Sequence, residues 1–155
     1  MMDVLIRRGL PSDVVSITEG NARMAEETEH VQLDRERLTR GVRAILEDES
    51  KGLYFIAESE GKVVGQLMIT YEWSDWRNGN FWWIQSVYVD PASRSKGIYS
   101  MLYKHIHTIA RTRGDVSGIR LYVESSNTRA KSAYEKLGMH QARYDMYEVD
   151  FVLKH

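Results

Sequence analysis

Arg94, Ser95, Lys96 and Gly97 stand in the middle of "SVYVDPASRSKGIYSMLYKHI", a stretch that starts as a strand and finishes as a helix. At the start of an α-helix the first amides lack intrahelical partners. Their dipoles sum to a partial positive charge, which makes a ready anion site. Gly97 puts no side chain between a ligand and the backbone. Arg94 and Lys96 add charge at the same end. From Pro91 through Gly114 there is no Asp or Glu, whereas Arg94, Lys96, Lys104, Arg111 and Arg113 are present. The spacing is neither that of a Walker loop nor G-x-G-x-x-G. These residues point to a phosphorylated ligand. A solvated helix face with a glycine in its first turn would carry the same charges.

The elements that must position these residues follow from pattern. "VLIRR" reads as a first strand, and Ser12 or Asp13 caps a helix running to about Met24. "EETEH" is an acidic connection to a second helix, marked by Leu38, Val42, Ile45 and Leu46 and ending near Asp48. "LYFIAES" and "VVGQLMITYEW" form a hairpin with Gly61 in its turn. A second turn, with Asn78-Gly79, leads to "FWWIQSVYV", too apolar for a wet edge. Ile98, Leu102, Ile106 and Ile109 share one helix face. "IRLYVES" is another strand. Asn127 caps a helix with Ala130, Ala133, Tyr134 and Leu137 inward and Gly138 just past its end. "ARYDMYEVDF" is a closing strand. The order βααβββαβαβ predicts an α/β fold, a mixed central sheet of about six or seven strands flanked by helices, with parallel neighbours at the two strand–helix–strand passages.

The 155 residues are the size of one ordinary domain, read as a single unit over 1–155. The 43% hydrophobic and 28% charged residues fit a soluble globular protein. A net charge of −1 gives no global pull toward nucleic acid or an anionic membrane, so neither is an expected partner. The absence of cysteine excludes disulfides, thiolate nucleophiles and cysteine-ligated zinc, and fits a reducing, cytoplasmic setting. The N-terminal apolar run is too short for a signal peptide, and no later run could span a bilayer. His105 and His107, two apart in a helix, cannot face one metal together, and no metal is expected.

"VYVDPASRSKGIY" resembles the pyrophosphate-binding motif of the GCN5-related N-acetyltransferases (GNAT), V-x-P-x-x-[QR]-x-x-G-x-[GA]. Arg94 falls on its first conserved polar position and Gly97 on its glycine. Tyr99 departs from its final Gly or Ala. "NTRAKSAYEKLGM" resembles a second motif of the family, with Asn127, Ala130, Tyr134 and Gly138 matching. The element order is also that of the family. The resemblance implies an acetyl-CoA site. Val87 and Val89, with Tyr88 between them, would offer backbone partners to the pantetheine arm. Arg94, Ser95, Lys96, Gly97, Ile98, Tyr99 and Ser100 would hold the pyrophosphate. Asn127, Ala130 and Tyr134 would lie toward the pantetheine.

The chemistry can be argued separately. An amine with a pKa of about 10.4 must lose a proton before attacking a thioester, and the departing thiolate benefits from a proton donor. A phenol, with a pKa of about 10, can give that proton and recover it. Tyr134 occupies the position that serves as this acid in many relatives; a core tyrosine would share its spacing. Without cysteine, transfer must be direct, in a ternary complex. The positions of two glutamates that serve as base in relatives are Trp83 and Tyr122 here. Glu72 and Glu124 are the remaining carboxylate candidates, with Glu72 favoured and water relayed by Gln85 or Ser86 as a third route. Trp73 and Trp76 are candidate walls of an acceptor pocket, where a ring face can hold a cation. Gln85 lies on the strand beside it, and Glu27, in the acidic run Glu26, Glu27 and Glu29, could favour a positively charged amine.

The expected activity is acetyl transfer from acetyl-CoA to a primary amine of a small molecule or peptide, with a homodimer left open. A non-catalytic acyl-CoA-binding or regulatory module on the same fold is the alternative. Tyr134 speaks against that alternative, and the two missing glutamates speak for it.

Overall fold

The computed structural model describes residues 3–153, which fall into two compact units divided between Leu121 and Tyr122. The first unit holds a five-stranded sheet in sequential order: β1 (Leu5–Arg8), β2 (Leu53–Ser59), β3 (Lys62–Ser74), β4 (Gly79–Val89) and β5 (Val116–Arg120). All neighbours are antiparallel except β4 and β5, which are joined by the helix α3 (Ile98–Thr112) and run parallel. That is the geometry a strand–helix–strand passage requires.

Alternation along the strands splits the core into two layers. Tyr54, Ile56 and Met68 pack with Ile17 and Val42 from α1 (Val14–Met24) and α2 (Arg35–Glu47). Leu102 and Ile106, both fully buried, anchor α3, and Ile98 leaves room only for hydrogen at Gly65, where a Cβ would stand 2.7 Å from its Cγ2. The Asp34 side chain caps α2 by accepting from the amides of Glu36 and Arg37. Asp13 does something different before α1. It is buried, accepts from the Leu10 amide and takes both guanidinium nitrogens of Arg7 at 2.8 and 2.9 Å. The β2–β3 hairpin turns through Glu60 and Gly61, both left-handed. "EETEH", read as a simple connection, is instead a π-helical turn over Ala25–Glu29 that ends at left-handed His30.

The second unit contains α4 (Thr128–Lys136), capped by Asn127, whose Oδ1 accepts from the Ala130 amide. Gly138, with φ +92°, follows it. Ala130, Tyr134 and Leu137 are half-buried, whereas Ala133, read as inward-facing, is exposed.

The expected six or seven strands are five. "IRLYVES" contributes only Ile119 and Arg120 to β5, because the ladder with β4 ends at the Trp83–Arg120 pair. The expected closing strand over 142–151 does not form among the described residues, so the second expected parallel pairing is missing too. A strand exists only through a partner ladder. Here Tyr144, Met146, Tyr147, Val149 and Phe151 are exposed, and Asp150 turns the backbone by accepting from the amides of Val152 and Leu153.

Candidate active site

In the first unit the site is built on the second half of β4. Asn80 to Trp83 pair with β5 on one side and β3 on the other, but from Ile84 to Val89 only β3 pairs with β4. A bulge marks the change. The register jumps between Gln66–Tyr88 and Met68–Gln85, and Ser86 takes φ +52°, a left-handed conformation uncommon for a residue with a side chain. A buried amide holds it there. Gln66 donates through Nε2 to the Ser86 carbonyl at 3.3 Å and to Asn21 Oδ1 at 2.9 Å, and Asn21 donates to the Tyr54 hydroxyl at 3.1 Å. Gly20 makes room for that amide, since a Cβ there would lie 2.6 Å from Gln66 Oε1. Burial pushes the Tyr54 phenol above its usual value, partly offset by the bond from Asn21. Sequence reading missed this network. The one signal was a glutamine within the apolar run of β3.

After β4 the chain makes a 3-10 turn over Pro91–Ser93, extends at Arg94, and passes through left-handed Ser95 (φ +65°) and Gly97 (φ +78°) into α3. No side chain caps α3, and its first turn holds no acidic residue. Its leading amides therefore face the exposed side of this loop with the helix dipole behind them. Left-handed residues just ahead of a helix form the concave amide arrangement that suits an anion. Gly97 is needed for its φ, because the space where its Cβ would stand is open. Lys96 is exposed, Tyr99 and Ser100 are half-buried, and the Ile98 side chain belongs to the core.

Arg94 has a more definite partner than sequence indicated. Its Nη2 lies 2.7 Å from Glu27 Oε2, its Nε donates to the Val89 carbonyl at 2.9 Å, and its guanidinium stands 5.4 Å from the Tyr88 ring centroid. The Tyr88 hydroxyl donates to Glu27 Oε1 at 3.4 Å. The Glu27 hydrogen bond raises the Arg94 pKa further. Glu27, Tyr88, Val89 and Arg94 are thus gathered at one place.

The other expected residues of this unit are dispersed. Glu72 is ion-paired to Arg120 at 2.6 Å, and the Arg120 guanidinium lies 3.6 Å from the Phe81 ring centroid. Arg120 was not anticipated. Gln85 donates to Thr70 Oγ1. Trp73 and Trp76 are 60% and 87% exposed on the β3–β4 hairpin, so they are not packing residues, while Trp82 is core.

In the second unit, burial raises the Tyr134 phenol above its ordinary pKa. Glu124 accepts from both the hydroxyl and the amide of Ser126, and these bonds lower its pKa. That makes it a weaker proton acceptor. Among the described residues no cluster of three or more His, Asp or Glu could hold a metal ion, and no helix is long and apolar enough to cross a membrane.

The first unit thus combines a sheet with one parallel pair, a β4 strand without a β5 partner beyond its bulge, and an uncapped helix start after it. The chain belongs to the acetyltransferase (GNAT) family, whose description it matches over residues 16–139, a family of N-acetyltransferases that use acetyl-CoA. It is similar to the crystal structure of a possible acetyltransferase from Clostridium difficile 630, with 46% identity, 99% of this chain and 100% of that one covered, and a TM-score of 0.90. It also resembles the bovine thialysine N-epsilon-acetyltransferase, 34% identical over 76 residues. That match spans 49% of this chain and 44% of the bovine protein. The fold alone is shared with a predicted acetyltransferase solved with acetyl-CoA from Clostridium acetobutylicum, 18% identical, with 99% of both chains covered and a TM-score of 0.77.

Proposed function

We propose that this protein transfers an acetyl group from acetyl-CoA directly to a primary amine of a small molecule or peptide, with residues 1–155 acting as one domain. The observation that carries the reading is the β4–α3 segment. Its two left-handed residues, uncapped helix and stretch free of Asp and Glu from Pro91 through Gly114 suit a diphosphate. The half of β4 without a β5 partner offers Val87 and Val89 to an amide-bearing arm. Tyr88 and the segment Arg94–Ser100 complete the coenzyme side, and Asn127 and Ala130 belong to it through their motif. In the reaction the amine nitrogen bonds to the acetyl carbon as the carbon–sulfur bond breaks. Tyr134, a phenol protonated at neutral pH, gives its proton to the departing thiolate. The amine's own proton leaves to Glu72, to Glu124, or to water relayed past Gln85 and Ser86. Trp73 and Trp76, exposed indoles on one hairpin, are suited to a cationic acceptor.

The bovine relative's name places its acetyl group on a lysine-like side chain, so lysine analogues head the acceptors to screen. A cytoplasmic protein without nucleic-acid or membrane partners belongs to the same proposal, with a homodimer left open. The exposed apolar residues between Tyr144 and Phe151 favour the dimer. Thiol release from acetyl-CoA across a panel of amines tests the reading: release that requires one class of amine is expected. Tight CoA binding with no amine-dependent release would favour the non-catalytic acyl-CoA module, a reading supported by the engagement of both candidate bases, Glu72 with Arg120 and Glu124 with Ser126.

A further inference from the structure

We infer that Arg120 receives a carboxylate of the acceptor, so that the acceptor is an amino acid whose reacting amine lies about a lysine's length from that carboxylate. This rests on the acetyltransferase reading above and names a substrate class for it. Arg120 ends the β4–β5 ladder opposite Trp83, the last pair before β4 loses its β5 partner. Its guanidinium is held from two sides. Nη1 donates to Glu72 Oε1 at 2.6 Å, and the guanidinium carbon stands 3.6 Å from the Phe81 ring centroid. Phe81 is itself buried, and Gly118 makes room for its ring, since a Cβ there would lie 2.6 Å from Phe81 Cε1. The ring is a fixed floor for the cation.

An exposed ion pair contributes little affinity. With side chains 30% and 46% exposed, what Glu72 gives Arg120 is orientation. A guanidinium presents its N–H donors as a planar fork. Glu72 takes one nitrogen, and among the described residues Nε and Nη2 have no hydrogen-bond acceptor. That edge is the one a carboxylate grips with two parallel bonds. Arg77, 4.8 Å from the same ring, brings a second cation that is in no ion pair among the described residues. Two guanidiniums against the single carboxylate of Glu72 leave this place positive, within a chain whose net charge is −1. A second amine is repelled here, and a carboxylate is attracted.

Position along β4 sets the length of the acceptor. The pairs Glu72–Phe81 and Met68–Gln85 put these side chains on the sheet face that Met68 presents to α1 and α2. From Phe81 to Gln85, at the edge of the bulge, the strand rises roughly 13 Å. A hydrogen bond at the carboxylate and a near-attack approach at the thioester take about 3 Å each, which leaves roughly 7 Å between the two ends. An extended lysine fills that distance. An α-amine, attached beside its own carboxylate, falls short of the thioester.

Transfer kinetics with lysine and cadaverine test this in the whole chain, because cadaverine is lysine without its carboxylate. Wild type should show kcat/KM for lysine about ten- to a hundredfold above that for cadaverine, the range a charge-assisted contact supplies. Arg120→Ala should bring the two amines close to equal, chiefly by raising KM for lysine. Arg120→Lys, which keeps the charge without the fork, should restore only part of the preference. A packing role alone would lower both amines alike. Cadaverine, or another amine without a carboxylate, used as well as lysine by wild type overturns the carboxylate site with no variant needed. An unchanged lysine preference in folded Arg120→Ala overturns it too. Either result leaves the acetyltransferase reading standing. No thiol release with any amine, from wild type that binds CoA, overturns both.

Discussion

The loop that leads into α3 and the residues offered for proton transfer are built on different principles. At Arg94–Gly97 the proposed anion site would be carried by backbone: two left-handed residues, an uncapped helix, and a glycine at φ +78°, where a side chain is strained. At Tyr134, Glu72 and Glu124 it is carried by side chains whose character depends on what folds against them. Burial raises the Tyr134 pKa, Arg120 holds Glu72, and Ser126 holds Glu124. A backbone site is written into residue order. A side-chain acid or base is set by neighbours far away in sequence, which is why the partners of Glu72 could not be read in advance.

The largest effect expected among the proton-transfer residues is at Tyr134. Tyr134→Phe keeps the ring and deletes the hydroxyl, and turnover should fall by about ten- to a thousandfold with CoA affinity little altered. Unchanged turnover in folded protein would make the residue a packing element and leave the coenzyme loop as the only functional part of the comparison.

A smaller effect is expected at the two carboxylates, where Glu72→Gln and Glu124→Gln should differ from each other. The harmful change should also move the acidic limb of the pH–rate profile, since that limb reports the base when the amine is not itself titrating. Glu124 has the lowered pKa. If it is the base, the limb should lie below the ordinary glutamate value of about 4.3. A profile and turnover unaffected by either change would show that the amine loses its proton to water.

How far the sequence carried the fold can be judged at particular residues. Gly61, Asn127 and Gly138 act locally, and each sits in the turn or cap its type suggested. The bulge at Ser86 was not legible, because it depends on Gln66, Asn21 and Tyr54 meeting from three elements. The closing strand misled for the opposite reason. Its alternation, with Tyr147, Val149 and Phe151 on one side, is that of a strand, but alternation does not supply a partner ladder. The loop Arg94–Gly97 was legible by motif, whereas the hold of Glu27 on Arg94 was not. Charges 67 apart announce nothing to each other in sequence.

The smallest effect concerns stability and provides a control far from both regions. The hydrogen bonds from Arg7, and the amide of Leu10, depress the Asp13 pKa below its usual 3.8. A depressed carboxylate contributes stability that is fully present above the unfolded pKa and is lost as pH falls through the folded one. Asp13→Asn should therefore cost about 2 kcal/mol at pH 7, the level of a charge-assisted hydrogen bond. It should also flatten the loss of stability below about pH 4, where Asp13 of the unfolded wild type takes up a proton before folded Asp13 does. Denaturant titration at several pH values measures both. An acid limb as steep in the variant as in wild type would show that the pair is not the titrating element.

The most direct measurement is a calorimetric titration of CoA into wild type, Gly97→Ala and Gly97→Asp. Wild type should bind, and alanine should weaken binding modestly because its φ is strained while the space beside it stays open. Aspartate should abolish or nearly abolish binding by placing a carboxylate where the diphosphate belongs, with the fold retained by circular dichroism. Binding to Gly97→Asp as tight as to wild type would contradict the account, because the start of α3 would then not be the anion site.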